Sequence, residues 1–213
     1  MIPDAQDLDE LFDVLPPPKQ EGILTCEPPD IQALMATNLD GKLFPRITRG
    51  HAHKTGAWHR AIGLWLFTDD LQLVVQRRSL NKDTHPGKWQ ISVAGHVTSG
   101  MSVQETVLNE AKEELGIDLK LSDIEFVGVS ARSERGHTER FGDFWDCEYK
   151  FLYICKIPRR NFDFNPFEIS EYAYMEMQEV FHRFETKDPD FTPMSEKYIE
   201  IAEAAILKHV VAR

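Results

Sequence analysis

The chain has 213 residues, 42% of them apolar and 10% aromatic, enough for one domain with a sizeable core or one domain plus an extension. A formal net charge of −11, from 35 acidic and 24 basic side chains, argues against a nucleic-acid backbone as the main partner, because such binding relies on clustered Lys and Arg. The longest apolar run, Ala61 to Phe67, is too short to span a bilayer, so no membrane partner is expected.

Residues 1–50 are punctuated by Pro, Asp and Gly and are expected to form an irregular extension with one helix around Ile31 to Ala36. The domain proper is expected over 51–213. AIGLWLF, the turn TDD and LQLVVQR predict a β-hairpin, and WQISVAGHV a further strand. Ser102 to Leu115 contains neither Pro nor Gly and is stopped by Gly116, which predicts a helix. IEFVGVSA, CEYKFLYICKI and EYAYMEM read as strands, and MSEKYIEIAEAAILKHVVA as a final helix. Strands interleaved with one central and one C-terminal helix imply a layered α/β (α+β) domain with a mixed sheet. Three cysteines, Cys26, Cys147 and Cys155, form no C-x-x-C pair and no disulfide framework, so packing roles and a reducing cytoplasmic location are expected. The acidic N-terminus lacks the layout of a secretory signal.

The central helix carries the chemistry. At ~100° per residue, Glu110, Glu113 and Glu114 share one stripe, while Leu108, Ala111 and Leu115 fall on a neighbouring arc that can be buried. Like charges at this spacing repel, and the C-terminal end of a helix disfavours anions. Both costs are offset if a divalent cation sits among the carboxylates, and oxygen-only ligands favour Mg2+ or Mn2+.

The segment GHVTSGMSVQETVLNEAKEELGI, Gly95 to Ile117, resembles the Nudix box, G-x5-E-x7-R-E-U-x-E-E-x-G-U, with U aliphatic. Gly95, Glu110, Glu113, Glu114, Gly116 and Ile117 match in register. Met101 stands where that family has its first Glu, and Asn109 where it has Arg. The resemblance implies an α/β/α sandwich with a mixed β-sheet, and metal ions held by Glu110, Glu113 and Glu114 with help from the Ala94 carbonyl.

H-x-x-G-x-W-H-R-A from His53 to Ala61, Q-R-R-S-x-x-K-D-x-x-P-G-x-W and I-S-V-A-G-H are similar to the Nudix branch that includes isopentenyl-diphosphate isomerases. That resemblance makes His59 and His96 metal ligands and Glu148 the strand glutamate, with Asp146 two residues before it. Arg77, Arg78 and Lys82 become diphosphate binders. His53 lies one residue too close to His59 for the isomerase spacing and is expected to be structural. So is a second basic patch, Arg132, Arg135, His137 and Arg140, in an expected loop. The isomerase's catalytic cysteine position holds Ala94, which has no proton to move. Cys147 lies on another strand.

The expected activity is therefore metal-dependent hydrolysis of a diphosphate linkage in a small nucleoside- or isoprenoid-type diphosphate. Glu114 or Glu148 would act as the base, and Glu113 would assist. Isomerisation of isopentenyl diphosphate and non-catalytic sensing of a phosphorylated metabolite stay open as alternatives. Trp58, Trp65, Trp89 and Trp145 are candidates for stacking on a substrate or for the core. A homodimer is left open.

Overall fold

The structure, a computed structural model, describes residues 8–18, 22–24, 28–82, 84–138 and 142–211. Strands β1 (Leu11–Asp13) and β2 (Gly22–Leu24), helix α1 (Pro28–Met35) and strand β3 (Arg46–Thr48) occupy the segment predicted to be irregular. The predicted helix is there, but three short strands accompany it. Three-residue strands carry no readable alternation, and β1 finds its antiparallel partner in β3, with Leu11 opposite Thr48.

Helix α2 (Arg49–Thr55), absent from the sequence expectation, is closed by Gly56 in the left-handed region at φ 70°. Strand β4 (Trp58–Phe67) follows, and every residue in it after Trp58 is buried. It forms the predicted hairpin with β5 (Gln72–Arg78), yet the two pair only at the tip, Phe67 opposite Leu73. The predicted strand over Trp89–Val97 is split into β6 (Trp89–Gln90), beside β5, and β7 (Val93–His96), beside β4. Ser92 causes the break. Its hydroxyl accepts from Leu66 N–H at 2.8 Å and donates to the Val74 carbonyl, joining β4 and β5 where their backbones part.

Helix α3 (Val103–Leu115) begins with a capping box, Ser102 receiving Glu105 N–H while the Glu105 carboxylate receives Ser102 N–H. Gly116 ends it in the left-handed region. Its buried face is Val103, Val107, Ala111 and Leu115. Leu108, expected on that face, is half-buried, because Val107 lies closer to the stripe's centre.

Strands β8 (Glu125–Thr138), β9 (Gly142–Lys156) and β10 (Ile169–Glu176) complete the sheet, with helices α4 (Met177–Glu185) and α5 (Glu196–Val211) after them. The order is β10-β5-β4-β9-β8-β2, with β4 and β9 parallel and the other neighbours antiparallel. Helix α3 packs its valines against Ile62, Leu64 and Phe151 on one face. Helices α4 and α5 pack Phe181, Ile199 and Ala202 against Trp65, Leu152 and Ile154 on the other, which makes an α/β/α sandwich with a mixed sheet. β8 runs further than expected, so Arg132, Arg135 and His137 lie on a strand and not in a loop. Cys26 and Arg140 lie outside the described residues. No helix among the described residues is long and apolar enough to cross a membrane.

Candidate active site and metal centres

Strand β7 separates two sets of ligating side chains, and a cleft of about 500 Å3 is lined by the glutamates of one set and by His96 and Asp146 of the other. On one side, the last two turns of α3 present Glu110, Glu113 and Glu114. Glu114 is only 2% exposed. Its Oε2 accepts from Gln76 Nε2 at 2.8 Å and from the Ala94 backbone N–H at 3.2 Å. The carboxyl is thereby oriented, and burial pushes its pKa up to about 7. Glu110 is raised well above the ordinary carboxylate range by burial and by the charges of Glu114 and Glu113. Clustered carboxyls that resist ionisation by themselves suit a bound dication, which would favour the ionised form.

The glycine of the G-H pair has a steric cause. A Cβ on Gly95 would stand 2.2 Å from Glu110 Oε1 and 2.3 Å from its Cδ. Glu110 lies flat against the bare backbone of β7, so Gly95→Ala must displace the carboxylate. Displacements near 1 Å cost about 100-fold in rate. Gly95→Ala is expected to lower kcat/KM by about 100-fold while leaving the fold's near-UV dichroism intact, and a variant with full activity would refute the placement.

On the other side of β7 stand His53, His59, His96 and Asp146, whose ligating atoms all lie within 4.8 Å of one another. His53 was expected to be a satisfied structural residue. Helix α2 instead brings it into the cluster, with its Nε2 3.6 Å from Asp146 Oδ1 and without a hydrogen-bond partner among the described residues. His59 is fully buried, and its Nδ1 pairs with the Ala57 carbonyl at 2.9 Å, which puts the proton on Nδ1 and leaves the Nε2 lone pair facing Asp146 Oδ1 at 3.4 Å. Burial lowers all three histidine pKa values, His53 to about 3, so the rings are in the neutral, ligating form. His96 differs. Arg49 Nη1 lies 3.1 Å from its Nδ1, and arginine can only donate, so the proton of His96 is on Nε2, facing Glu148 Oε1 at 3.2 Å. His59 is ready to ligate as it stands; His96 must first give up Arg49 or its Nε2 proton. Phe12 of β1 stacks on His59 with centroids 4.8 Å apart and roofs the cluster.

Burial and the Glu148 charge push Asp146 up to about 8. Glu148 goes the other way: against burial, Lys150 and Arg132 hold it well below the ordinary range. Two carboxyls two residues apart on one strand are therefore pushed in opposite directions.

The basic residues divide. Arg78 and Lys82 line the cleft, Arg78 fixed by Gln90 Oε1 at 3.0 Å and Lys82 paired with Glu168. Arg77 does not line it. Alternation along β5 turns it to the opposite face, where it bonds the Gly87 carbonyl and sits 5.8 Å from the Trp89 ring centroid. From the patch set aside as structural, Arg132 enters the cleft and donates to Glu148 Oε2 at 3.1 Å, whereas Arg135 covers Trp145 and His137 pairs with Asp143. Lys150 and Tyr198 also line the cleft and were not anticipated. Period-two spacing after Glu148 carried the signal for Lys150. None of the four tryptophans lines it. Cys147 points to the α3 face with Tyr149, away from Asp146 and Glu148.

The NUDIX domain family model matches residues 57–195. Nudix hydrolase 3 of Arabidopsis thaliana is 31% identical over 150 residues, which cover 68% of this chain and 19% of that protein. An isopentenyl-diphosphate Delta-isomerase of Salmonella arizonae is 43% identical over 61 residues, 29% of this chain and 34% of that protein. The chain thus spans a minor part of the length of these relatives. Among solved structures, a Deinococcus radiodurans protein superposes with a TM-score of 0.53 at 20% identity, covering 83% of this chain and 90% of that one.

Proposed function

The chain belongs to the Nudix family, and on that premise we propose that it hydrolyses a diphosphate linkage in a small molecule with Mg2+ or Mn2+ as cofactor. Glu110, Glu113, Glu114 and the Ala94 carbonyl would hold the ion. The observation that carries this reading is Glu114: buried, oriented by Gln76 and the Ala94 N–H, and beside Glu110 and Glu113 in a cleft that also holds Arg78 and Lys82. A divalent ion bound there supplies a Lewis acid that polarises phosphoryl oxygens and acidifies water. Glu114 takes the proton of the attacking water, and Glu148, ionised and facing the same cleft, is the alternative base. Lys82 and Arg78 offset charge that gathers on the phosphoryl oxygens. His53, His59 and Asp146, with His96 once it gives up its Nε2 proton, are a fitting donor set for a second divalent ion, because neutral imidazoles and a buried carboxyl oxygen without a hydrogen-bond partner among the described residues are gathered at one point.

Isomerisation of isopentenyl diphosphate is the second reading, favoured by the histidine cluster and by the isomerase similarity. Ala94 and the orientation of Cys147 weigh against it, since no thiol among the described residues faces the cleft. Met101 and Asn109 leave no charge stranded: Met101 packs on the core and Asn109 is exposed. The test is incubation with Mg2+ or Mn2+ and a panel of nucleoside diphosphates and triphosphates, sugar nucleotides and isopentenyl diphosphate, following phosphate release and double-bond position. Phosphate-bearing fragments are expected from at least one diphosphate, and none from Glu113→Gln combined with Glu114→Gln. A shifted double bond without phosphate release would replace this reading by the isomerase one. Metabolite binding without turnover would make the protein a sensor.

A further inference from the structure

Past Ala94, on the α5 side of the sheet, the cleft has a second end that diphosphate hydrolysis does not use. Gly63 of β4 keeps it open: a Cβ there would stand 2.6 Å from Tyr198 Oη and 3.6 Å from Lys150 Cε. A hydroxyl and an ammonium arm therefore meet over one glycine. Tyr198, in the first turn of α5, is 3% exposed and lines the cleft, yet its hydroxyl has no hydrogen-bond partner among the described residues. A buried phenol ordinarily finds one.

The Lys150 side chain is 18% exposed, and Glu148 Oε2 lies 3.7 Å from its ammonium, beyond hydrogen-bond reach. That oxygen already accepts from Arg132 Nε at 3.1 Å. Arg132 in turn is shared with Glu134 at 3.1 Å. Glu148, Arg132 and Glu134 thus satisfy one another, while Lys150 and Tyr198 project donors into the cleft. Two donors, one of them cationic, complement an oxygen-rich anion. A hydrocarbon tail placed there would bury both without partners.

We propose that Tyr198 and Lys150 form a subsite for an anionic oxygen group, a carboxylate or a phosphate ester, carried by the part of the substrate beyond its diphosphate. The inference rests on the hydrolase reading for where the diphosphate lies.

Two matched pairs test it and separate the two sources of the anion. NADP+ against NAD+ adds a phosphate ester, and UDP-glucuronate against UDP-glucose adds a carboxylate. In at least one pair kcat/KM is expected to favour the anion-bearing member by about tenfold, the worth of one charge-assisted hydrogen bond. Tyr198→Phe and Lys150→Met are each expected to shrink that ratio several-fold. Tyr198→Phe removes an unpartnered hydroxyl, so it is expected to melt no lower than wild type, which keeps the comparison on folded protein. Hydrolysis with no preference in either pair, or a preference that both variants retain, overturns the subsite and leaves the hydrolase reading standing. If no member is hydrolysed, calorimetry on the wild type compares the same pairs. Tighter binding of the anion-bearing member, lost in the variants, supports the subsite while the hydrolase reading fails; equal binding overturns both.

Discussion

Glu114→Gln is expected to lower kcat about 1000-fold, within the range for removing a general base, and at the same time to raise the melting temperature of the metal-free protein at pH 8. The two effects have one cause. Glu114 is 2% exposed, and burial raises its pKa to about 7 from an ordinary value of 4.5. A carboxyl whose folded pKa exceeds its unfolded one contributes its full stability below the unfolded value and loses it as pH rises through the folded value. Between about pH 4.5 and 7 the loss is on the order of 3 kcal/mol. Glu110 and Asp146, also raised, add in the same sense, whereas Glu148 and the three histidines, all lowered, oppose them, the histidines by gaining stability as pH rises to about 6.5. The effect of Glu114 is therefore read as the difference between wild type and variant. Glutamine cannot ionise, and its carbonyl can still accept from Gln76 Nε2 and Ala94 N–H. The pH-dependent loss should therefore shrink in the variant. Mg2+ or Mn2+ binds only the folded protein, so it should restore the wild type at pH 8 and do much less for Glu114→Gln. Calorimetric melting at pH 5 and pH 8, with and without the ion, reads all four corners. A glutamine variant whose change in stability between pH 5 and pH 8 equals that of the wild type, or one with full kcat, would sink the assignment.

What could be read from the chain, and what could not, divides by the range of the interactions involved. The α3 carboxylates were legible because a helix is local: spacing places Glu110, Glu113 and Glu114 on one stripe, and Gly116 marks the end. Helix α4 is equally local, with Met177, Val180, Phe181 and Phe184 repeating at i, i+3, i+4 and i+7, but the strand-like EYAYMEM runs directly into it and masks its start. Arg77 and Arg78 look equivalent in sequence, and only their alternation on β5 separates a cleft residue from a surface one. The resemblance already grouped His59, His96 and Asp146, which come from β4, β7 and β9, but the place of His53 among them needed the fold, since it comes from α2. Tyr198 and Lys150 meet only because α5 lies across β9 and Gly63 leaves room for both. The strands before residue 50 were hidden by brevity and by partners distant in sequence.

Those early strands are also where the largest stability effect is expected. Asp13 of β1 is 1% exposed, and its Oδ2 meets Arg60 Nη2 at 2.5 Å. Its Oδ1 accepts from Asn38 Nδ2 and from Ser99 Oγ, each at 2.6 Å. Arg60, on the central strand β4, is also 1% exposed and donates to the Ala36 carbonyl at 2.9 Å. One buried carboxylate thus fastens β1, the chain after α1, β4 and the loop before α3. Asp13→Ala strands the Arg60 guanidinium in the interior, which costs about 3–5 kcal/mol. For a domain of this size that is a fall of ~10 °C in melting temperature. Removing both charges, as Asp13→Leu with Arg60→Met, is expected to recover at least half of the loss, because a paired deletion leaves no buried ion; the Ala36 carbonyl stays unsatisfied and limits the recovery. Urea titrations of the two variants measure this directly. Phe12, next to Asp13, covers His59, so the same substitution should also expose the histidine cluster and weaken any ion held there. A single cooperative transition shifted as a whole would mean that this segment folds as part of the sandwich. A main transition left at the wild-type midpoint, with only a minor early phase, would mean that it is an arm laid over the domain.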